Sequence, residues 1–510
     1  MKSILFFIMA CILSVTSLFA AGEQETVQPE ESGPYYFTAA GPWDLAQGRI
    51  DFAKQPEDPV FQYVIDQIGI APQTYAYDWE GGTGYLQNVR LLLASGTIPE
   101  AILEPFTTNF VKELYDLGVL IPLDDYLENA PDVMAMYSDE DLKIIRSLTP
   151  DGKIYYLPGK NIEPRQGMIR ADWLKAVGKD VPKTRDELVE VYKAFRDMDA
   201  NGNGDPNDEI PVSGREGMRW LDDLYVMHGV HMYEGHPAWS WDEKTQQMIS
   251  HQVSDNMKEA VTFLRYLVEE GLMDKVMPFQ PAGDWFAKIS ADRIGHYFHL
   301  ASGIERRLTM VADGSNPDAE WVYMSPPSVP GLPHQKNFYP GIGAPQIVLT
   351  TEAKDPARIL EWFNWGVTEE GAKFHHYGIE GVNYEIKGGE IVSEGFPAAQ
   401  RYHYSPTYAS RNAEIYRGTN YGDMKAAIYN ASINDGRSLE NLGMPVSIWE
   451  GYEDFVDSNA GNLYRQYTAR FILGELPLSE WDNYVAEWNK KGGAEITRRA
   501  TEWYKSVYGK

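Results

Sequence analysis

The sequence has almost no cysteine, since Cys11 is the only one among its 510 residues. A framework of intramolecular disulfides is therefore excluded, and the chain after this position offers no cysteine nucleophile. Basic residues are also scarce: 45 Lys and Arg face 74 Asp and Glu, which gives a formal net charge of −29. Such a surface repels phosphate backbones and argues against a nucleic-acid partner. The length and a hydrophobic content of 43% predict two or more folded domains.

Long apolar runs are absent after the first 22 residues, MKSILFFIMACILSVTSLFAAG. An early lysine, an apolar run and small residues at its end are the layout of a secretory signal peptide. We expect cleavage near Ala20 to Gly22 and export to the periplasm or the outer face of the cytoplasmic membrane. A single membrane anchor is the alternative, because the run is close to spanning length. Lipidation of Cys11 is disfavoured, because Met9 suits that signal poorly and apolar sequence continues past the cysteine.

Common catalytic motifs are missing as well. The sequence has no G-x-S-x-G, no H-E-x-x-H and no G-x-x-x-x-G-K-[ST]. The pairs His228/His231 and His296/His299 have i, i+3 spacing, but zinc needs further ligands, so packing or hydrogen bonding is the preferred role. We therefore predict no catalysis. Among 74 carboxylates, however, some pairs will lie at a glycosidase separation by chance.

Strand and helix patterns alternate along the first half of the chain. The stretches PYYFTAA, QTYAYDW and PEAILEP predict strands, and helices are predicted between them in DPVFQYVIDQIG and GYLQNVRLLLASG. This alternation indicates an α/β fold with helices on both faces of a sheet. A later helix, TRDELVEVYKAFRDM, has a capping-box spacing at Thr184 and Glu187. The segment from about residue 396 to 510 is predicted to be mostly helical.

The stretch DANGNGDPNDEIP, residues 199–211, follows this capped helix and is called the acidic loop below. Its beginning matches the D-x-[DN]-x-[DN]-G calcium pattern, in which alternate oxygens converge where glycine lets the backbone coil. It is not an EF-hand, because Ile210 occupies the twelfth position and IPVSG predicts extended chain. A solvated polar turn is the alternative. The predicted calcium ligands are Asp199, Asn201, Asn203, Asp205 (through its backbone carbonyl), Asp208 and Glu209.

Several stretches, in their order along the chain, resemble bacterial extracellular solute-binding proteins of the sugar-binding type that serve ABC transporters. They are LLLASGTIPEAIL, LYDLGVLIPLDDYLENAPDV, DGKIYYLPG, IRADWLKAVGKDVPKTRDELVEVYKAF and DPARILEWFNWGVTEEGAKFHHYGIEGVNYEI. Together they span about residues 85–390. This family often carries a loop similar to the acidic loop after the matching helix, usually shorter before the final acids. The extra length leaves the roles of Asn207 and Asp208 open.

The resemblance implies an α/β, two-lobed periplasmic-binding-protein type II-like fold with an interlobe cleft, a hinge and helical C-terminal additions. It divides the chain into a signal peptide (1–21), a flexible linker (22–33), lobe I (34–160 and 300–378) and lobe II (161–299 and 379–510), which carries the calcium loop. It also implies a nonenzymatic monomer that captures a sugar or oligosaccharide and delivers it to an ABC transporter permease. A secreted carbohydrate-active enzyme, either a glycoside hydrolase or a lyase, and a noncatalytic surface lectin are the alternatives.

Sugar binding requires flat apolar faces for the ring C–H surfaces and charged or amide groups for the hydroxyls. The chain has 14 Trp and 32 Tyr, most of which we expect in the cores. Ligand contacts should instead lie at strand ends and crossings, where the lobes face each other. The predicted contacts are Trp43, Trp79, Glu104, Phe106, Asn161, Glu163, Arg165, Trp220, Trp285, His299 and Tyr339.

Overall fold

The computed structural model describes a large part of the chain. The described residues are 33–42, 57, 59–77, 83–105, 107–160, 165–233, 235–300, 310–312, 314–340, 342–392, 422–435, 437–439, 444, 446–452, 455 and 463–509. The predicted signal peptide and nearly all of the predicted linker lie outside these ranges. Within them, no helix combines the length and the apolar character needed to cross a bilayer.

The strands of the described ranges are short and are numbered here in chain order. They are β1 (Tyr35–Pro42), β2 (Ile70–Tyr77), β3 (Ala101–Leu103), β4 (Leu157–Lys160), β5 (Arg165–Arg170), β6 (Ile210–Val212), β7 (Met232–Tyr233), β8 (His236–Pro237), β9 (Trp239–Asp242), β10 (Gln247–Ser250), β11 (Ile294–Leu300), β12 (Trp321–Met324), β13 (Phe338–Pro340), β14 (Ile342–Leu349), β15 (Glu385–Lys387), β16 (Glu390–Val392) and β17 (Arg437–Leu439).

The first large sheet has the order β2-β1-β3-β14-β4. Strands β1, β2 and β3 are parallel, whereas β14 runs antiparallel to both β3 and β4. The three strands predicted near the start of the chain are therefore confirmed. Parallel neighbours need crossover connections, which here contain the helices Pro59–Ile68 and Thr83–Ala94.

The second large sheet has the order β12-β5-β11-β6. Strand β5 is antiparallel to β11 and β12, and β6 is parallel to β11. The predicted lobe boundary at residue 300 is wrong for β12, because Trp321–Met324 pairs with β5 of this second sheet. A short apolar strand does not show in its own sequence which of two sheets it will join. The chain returns to the first sheet only between β12 and β14.

The α-helices follow the predicted pattern, and several have the expected caps. In the helix Arg185–Asp197, Thr184 and Glu187 form the predicted capping box, and Asp355 caps the helix Pro356–Trp365. The α-helices are Pro59–Ile68, Thr83–Ala94, Thr108–Asp116, Pro131–Ala135, Asp139–Arg146, Ala171–Ala176, Arg185–Asp197, Asp222–Val226, Asp255–Glu269, Ala282–Ser290, Pro356–Trp365, Glu369–Tyr377, Gly422–Asp435, Leu463–Ile472, Trp481–Trp488 and Ala494–Tyr508.

Each large sheet has its own hydrophobic core. The first core contains β1–β4 and β14 together with the helices Pro356–Trp365 and Glu369–Tyr377. The second core joins one face of the second sheet to the C-terminal helices, including Trp481 and Trp488. A third, smaller core lies on the other face, so that the neighbouring residues Met168 and Ile169 belong to different cores. The C-terminal segment therefore folds onto the second lobe.

Candidate functional site

One edge of the first sheet collects the carboxyl ends of four strands. Because β1, β2 and β3 are parallel and β14 is antiparallel to both β3 and β4, the ends of β1–β4 point the same way. The chain leaves this edge after Lys160 and comes back to it at Ile342, which pairs with Lys160. Ligands of open α/β sheets bind outside the carboxyl ends of strands, so this edge is a candidate cleft wall.

Glu104 is the described member of the predicted ligand set on this edge. It follows β3 directly and its backbone N–H donates to the carbonyl of Gln346, at 2.6 Å. Its φ of +45° lies in the left-handed region, which a non-glycine side chain seldom adopts and which often marks a functional position. Although the residue is partly exposed, Oε1 is buried and has no hydrogen-bond partner among the described residues. Burial raises the pKa of Glu104 to about 8, so the carboxyl is largely protonated at neutral pH and can donate.

The predicted contacts that follow β1, β2, β3 and β4 are not among the described residues. These are Trp43, Trp79, Phe106, Asn161 and Glu163, and all five therefore stay predictions. Tyr339 lies on β13, whose backbone pairs with β17 in the stretch that returns from the second sheet to the first.

The facing edge of the second sheet gathers other members of the set. Arg165 begins β5 and pairs with Leu300 at the end of β11, so His299 and Arg165 lie at the same edge. Strand β6 ends at this edge too, and the segment after it carries Trp220, whose carbonyl accepts from the N–H of Phe298. This is also the edge at which the chain enters from β4. Both sheets thus present their candidate residues toward the crossings.

The rings of Trp220, His299 and Trp285 form one stack. The ring centroids of Trp220 and His299 are 4.1 Å apart and nearly parallel, and Trp285 lies 6.0 Å behind His299. Trp220 also has a positive φ of 68°, and its buried Nε1 finds no hydrogen-bond partner in the described part of the chain. Trp285 is fully enclosed in the third core. Its role in this structure is to support His299, whereas a ligand role for Trp220 and His299 stays a prediction.

Two histidines that the sequence suggested for packing or hydrogen bonding do both. His296 lies between the Tyr192 hydroxyl, at 2.5 Å, and the Asp223 carboxylate, at 2.9 Å, and all three side chains are buried. His228 packs against Phe263 with its ring tilted by 45° and the centroids 5.3 Å apart, and its Nδ1 lies 2.9 Å from a backbone carbonyl. Their preferred packing role is confirmed.

A group of arginines beside Trp220 was not predicted from the sequence. Arg219 lies over the Trp220 ring at 5.3 Å, and Arg465, from a C-terminal helix, packs against Gly217. Arg165 lies over the Tyr233 ring at 4.7 Å and bonds to its hydroxyl. The available signal was the stretch GREGMRW, with two arginines in an otherwise acidic chain. Arg465 could not have been assigned to the same place, because its partner residues are distant in sequence.

The acidic loop adopts the coiled conformation that its glycines allow. Gly202 and Gly204 have φ values of 71° and 90°, and the Gly204 N–H donates to Asp199 Oδ2 at 2.9 Å. Asn201 and Asn203 each accept, through Oδ1, from the N–H two residues later. The loop leads into β6, so the predicted extended chain after it is confirmed.

Two carboxylate oxygens of the acidic loop are buried and have no hydrogen-bond partner within the described ranges, which tests whether the loop suits a cation. They are Asp199 Oδ1 and Glu209 Oε2, and burial raises the pKa of Glu209. Oxygen donors without hydrogen atoms are what calcium requires, so these residues fit. Asp208 fits less well, because both asparagine amides donate to it and Arg293 lies 3.7 Å away. Among the described residues, no three His, Cys, Asp or Glu side chains are gathered as metal ligands.

The acidic loop is fastened to the beginning of β11, at the opposite end from His299. Asn201 Nδ2 donates to the carbonyl of Asp292 at 3.2 Å, and Arg293 Nε donates to the carbonyl of Asp208 at 3.0 Å. At roughly 3.3 Å per residue, the strand separates the loop from His299 by about 16 Å. An ion in this loop would stabilise the lobe without contacting a ligand in the cleft.

Comparison with known proteins adds independent observations. The family model for bacterial extracellular solute-binding proteins matches residues 74–373. Lipoprotein LipO of Bacillus subtilis is 24% identical over 447 residues, covering 84% of this chain and 86% of LipO. The polygalacturonan/rhamnogalacturonan-binding protein YtcQ of the same organism is 24% identical over 432 residues, covering 81% of this chain and 82% of YtcQ.

A solved structure shares the fold. The ABC-transporter substrate-binding protein FusA of Streptococcus pneumoniae, in complex with kestose, superimposes with a TM-score of 0.69 at 20% identity. The match covers 93% of this chain and 99% of FusA. An EF-hand mutant of FusA in complex with fructo-nystose matches with a TM-score of 0.68 at 19% identity, over 93% of this chain and 99% of the mutant. The two-lobed solute-binding fold expected from the sequence is thereby confirmed.

Proposed function

The chain belongs to the family of bacterial extracellular solute-binding proteins, and we propose that it captures an oligosaccharide outside the cytoplasmic membrane and delivers it to an ABC transporter permease. The observation that carries this proposal is the arrangement of the two sheets. Their candidate residues lie at the edges where the chain crosses between lobes. A carbohydrate ligand is supported by the names of two relatives, a polygalacturonan/rhamnogalacturonan-binding protein and a fructooligosaccharide substrate-binding protein.

Closure of the two lobes would hold the solute. The chain passes from the first sheet to the second after Lys160 and returns before Ile342, and a hinge in these connections would let the lobes close. The helix Thr108–Asp116 of the first lobe also contacts the short helix Val446–Trp449 of the second. A solute that bridges both edges shifts the balance toward the closed form, because it interacts fully only there.

The contacts proposed for the solute come from both lobes. Glu104 would donate a hydrogen bond from the first lobe, while Trp220 and His299 would offer a stacking face and Arg165 a charged donor from the second. The further first-lobe and crossing residues proposed are Trp43, Trp79, Phe106, Asn161 and Glu163. Tyr339 and Trp285 are secondary candidates, Trp285 acting through His299.

We propose a structural calcium ion in the acidic loop. Asp199 and Glu209 would supply buried carboxylate oxygens, with Asn201, Asn203 and the Asp205 carbonyl completing the shell and Asp208 as an outer partner. Bound calcium would neutralise this carboxylate cluster and so fix the turn between the capped helix and β6. The EF-hand of FusA supports a calcium loop in this family.

Export through residues 1–21 as a signal peptide is part of the proposal, and a relative named as a lipoprotein makes the fate of Cys11 worth testing. Mass spectrometry of the protein purified separately from the soluble and the membrane fractions of its native cells distinguishes the two forms. An N-terminus near residue 22 without lipid agrees with the proposal. A diacylated Cys11 at the N-terminus would show instead that the protein is tethered to the membrane by lipid.

The test of function is a glycan panel in which binding and turnover are measured on the same samples. The proposal expects thermal stabilisation by one oligosaccharide class with no product released over hours. Release of product would establish an enzyme instead. Trp220→Leu removes the stacking face and should weaken binding about tenfold or more. Phe279→Ala, which removes a ring that is 70% exposed, is the matched control and should leave binding unchanged.

A further inference from the structure

Gln166 is a buried glutamine at the edge of the second sheet that faces the crossings, and it is not among the contacts predicted from the sequence. It follows Arg165 in β5 and is 1% exposed. Its side-chain oxygen Oε1 is buried and has no hydrogen-bond partner among the described residues. A buried amide oxygen without a donor costs free energy, so its presence beside a candidate cleft points to a donor that a ligand supplies.

The pairing of β5 places Gln166 on the same face of the sheet as His299. The two residues are directly opposite in the antiparallel pair of β5 and β11, and opposite side chains of such a pair lie side by side on one face. His299 in turn stacks on Trp220, with the ring centroids 4.1 Å apart. The Gln166 side chain therefore lies next to the stack of Trp220 and His299.

Trp220 offers a hydrogen-bond donor beside this acceptor. Its ring contacts both His299 and Arg219, whose guanidinium carbon is 5.3 Å from the ring centroid, and these contacts fix the indole. The Trp220 Nε1 is buried, and no residue in the described part of the chain accepts a hydrogen bond from it. A hydroxyl group can both donate and accept. A sugar unit with neighbouring hydroxyls can therefore donate to Gln166 Oε1 and accept from Trp220 Nε1.

The backbone that carries Gln166 is held by packing on the opposite face of β5. A Cβ added to the next residue, Gly167, would collide with the Asp223 carboxylate, so this face is closely packed. Asp223 is itself bonded to His296 at 2.9 Å, and both side chains are buried. Strand β12 ends opposite Gly167, so Gln166 lies beyond the paired part of that neighbour. A binding group on a rigid strand loses little freedom when a solute binds.

We propose that Gln166 is a solute-binding residue whose Oε1 accepts a hydrogen bond from a hydroxyl group of the captured sugar, while Trp220 Nε1 donates to a neighbouring oxygen. This inference rests on the proposed function, since it adds a contact to the site of capture. Neither atom carries a charge, so the sugar unit they hold is recognised through its hydroxyl groups. Gln166 Oε1 is satisfied only in the complex, so removing it should weaken binding without weakening the fold.

The first experiment compares two buried glutamines in the protein without solute, by differential scanning calorimetry at constant calcium. Gln166→Met keeps a side chain of similar length and removes the amide, so Tm should stay at the wild-type value or rise. The control is Gln252→Met, because Gln252 Oε1 accepts from Trp488 Nε1 at 2.9 Å. Losing that bond should lower Tm by at least about 2 °C. A Tm loss for Gln166→Met as large as that of the control would overturn the proposal.

The second experiment titrates the same proteins calorimetrically with oligosaccharides, and adds maltotriose, cellotriose, xylotriose, mannotriose and trigalacturonate to the glycan panel. For at least one oligosaccharide that the wild type binds, Gln166→Met should weaken binding at least about tenfold. Gln252→Met should change the same affinity by less than about twofold. Lower affinity together with undiminished stability is a combination that a purely structural role for Gln166 does not produce.

Two outcomes of the titrations distinguish this inference from the proposed function. If the wild type and Gln166→Met bind every oligosaccharide equally well, Gln166 is not a contact, and capture of a sugar still stands. If the wild type binds no oligosaccharide of the panel, the proposed function fails and the inference fails with it.

Discussion

Calcium in the acidic loop should stabilise the second lobe, and the structure sets the size of the effect. Asp199 Oδ1 and Glu209 Oε2 are buried, and none of the residues that the structure describes gives them a hydrogen bond. Each unsatisfied buried group costs about 1–3 kcal/mol, so an ion that satisfies both can recover roughly 2–6 kcal/mol. At a free calcium concentration of about 100 times Kd, linkage gives about 2.7 kcal/mol, which corresponds to a Tm increase of roughly 5 °C for a lobe of this size.

Differential scanning calorimetry in calcium and in excess chelator measures this increase. Asp199→Asn keeps an oxygen that can accept from the Gly204 N–H but removes the negative charge, so it should lose most of the calcium response while remaining folded. Asp482→Asn, whose side chain is 90% exposed, should keep the full response. The calcium proposal is wrong if chelator leaves the wild-type Tm unchanged and metal analysis finds no calcium. The acidic loop would then be a solvated polar turn.

Three further predictions concern buried ionisable side chains. Glu104 has a pKa raised from 4.5 to about 8, so the unfolded chain loses this proton at a lower pH than the folded one. The free energy of unfolding of the first lobe should therefore fall by about 1–4 kcal/mol as pH rises from 5 to 8. Urea unfolding of Glu104→Gln should show no such fall. Burial lowers the pKa of His228 to about 4 and that of His251 to about 3. The second lobe should therefore lose stability as pH falls from 6.5 toward 4. Unfolding midpoints that do not change over this pH range would show that the two imidazoles are not buried in solution. Arg170→Met should lower the free energy of unfolding by about 3–5 kcal/mol, because it leaves Asp292 buried without its cation. Adding Asp292→Asn should recover part of that loss. A loss below about 1 kcal/mol in denaturant unfolding would contradict the ion pair.

Local features of the fold could be predicted from the sequence because they depend on neighbouring residues. The capping box at Thr184 and Glu187 requires only four consecutive positions, and the coil of the acidic loop requires glycines at 202 and 204. The positions of β1–β3 also follow from local apolar patterns. Candidate residues such as Glu104 could be chosen because a strand end is visible in the sequence.

Long-range pairing could not be predicted in the same way. Strand β12 joins the second sheet through β5, which lies more than 150 residues earlier in the chain. The grouping of Arg219 and Arg465 beside Trp220 depends on the packing of a C-terminal helix against Gly217, which no local pattern encodes. Trp285 was predicted as one of the ligand contacts, but the helix Ala282–Ser290 places its side chain in the third core. The periodicity of apolar residues indicates which face of a helix or strand is buried. It does not indicate which sheet or core that face packs against.

The central claim is capture of an oligosaccharide by closure of two lobes, and small-angle X-ray scattering tests it most directly. The protein is titrated with an oligosaccharide already shown by calorimetry to bind, at constant calcium, and the radius of gyration is followed. We expect the radius to decrease and to reach a plateau at one equivalent, with the oligosaccharide recovered intact. An unchanged radius with the site saturated, or a cleaved oligosaccharide, would contradict the account.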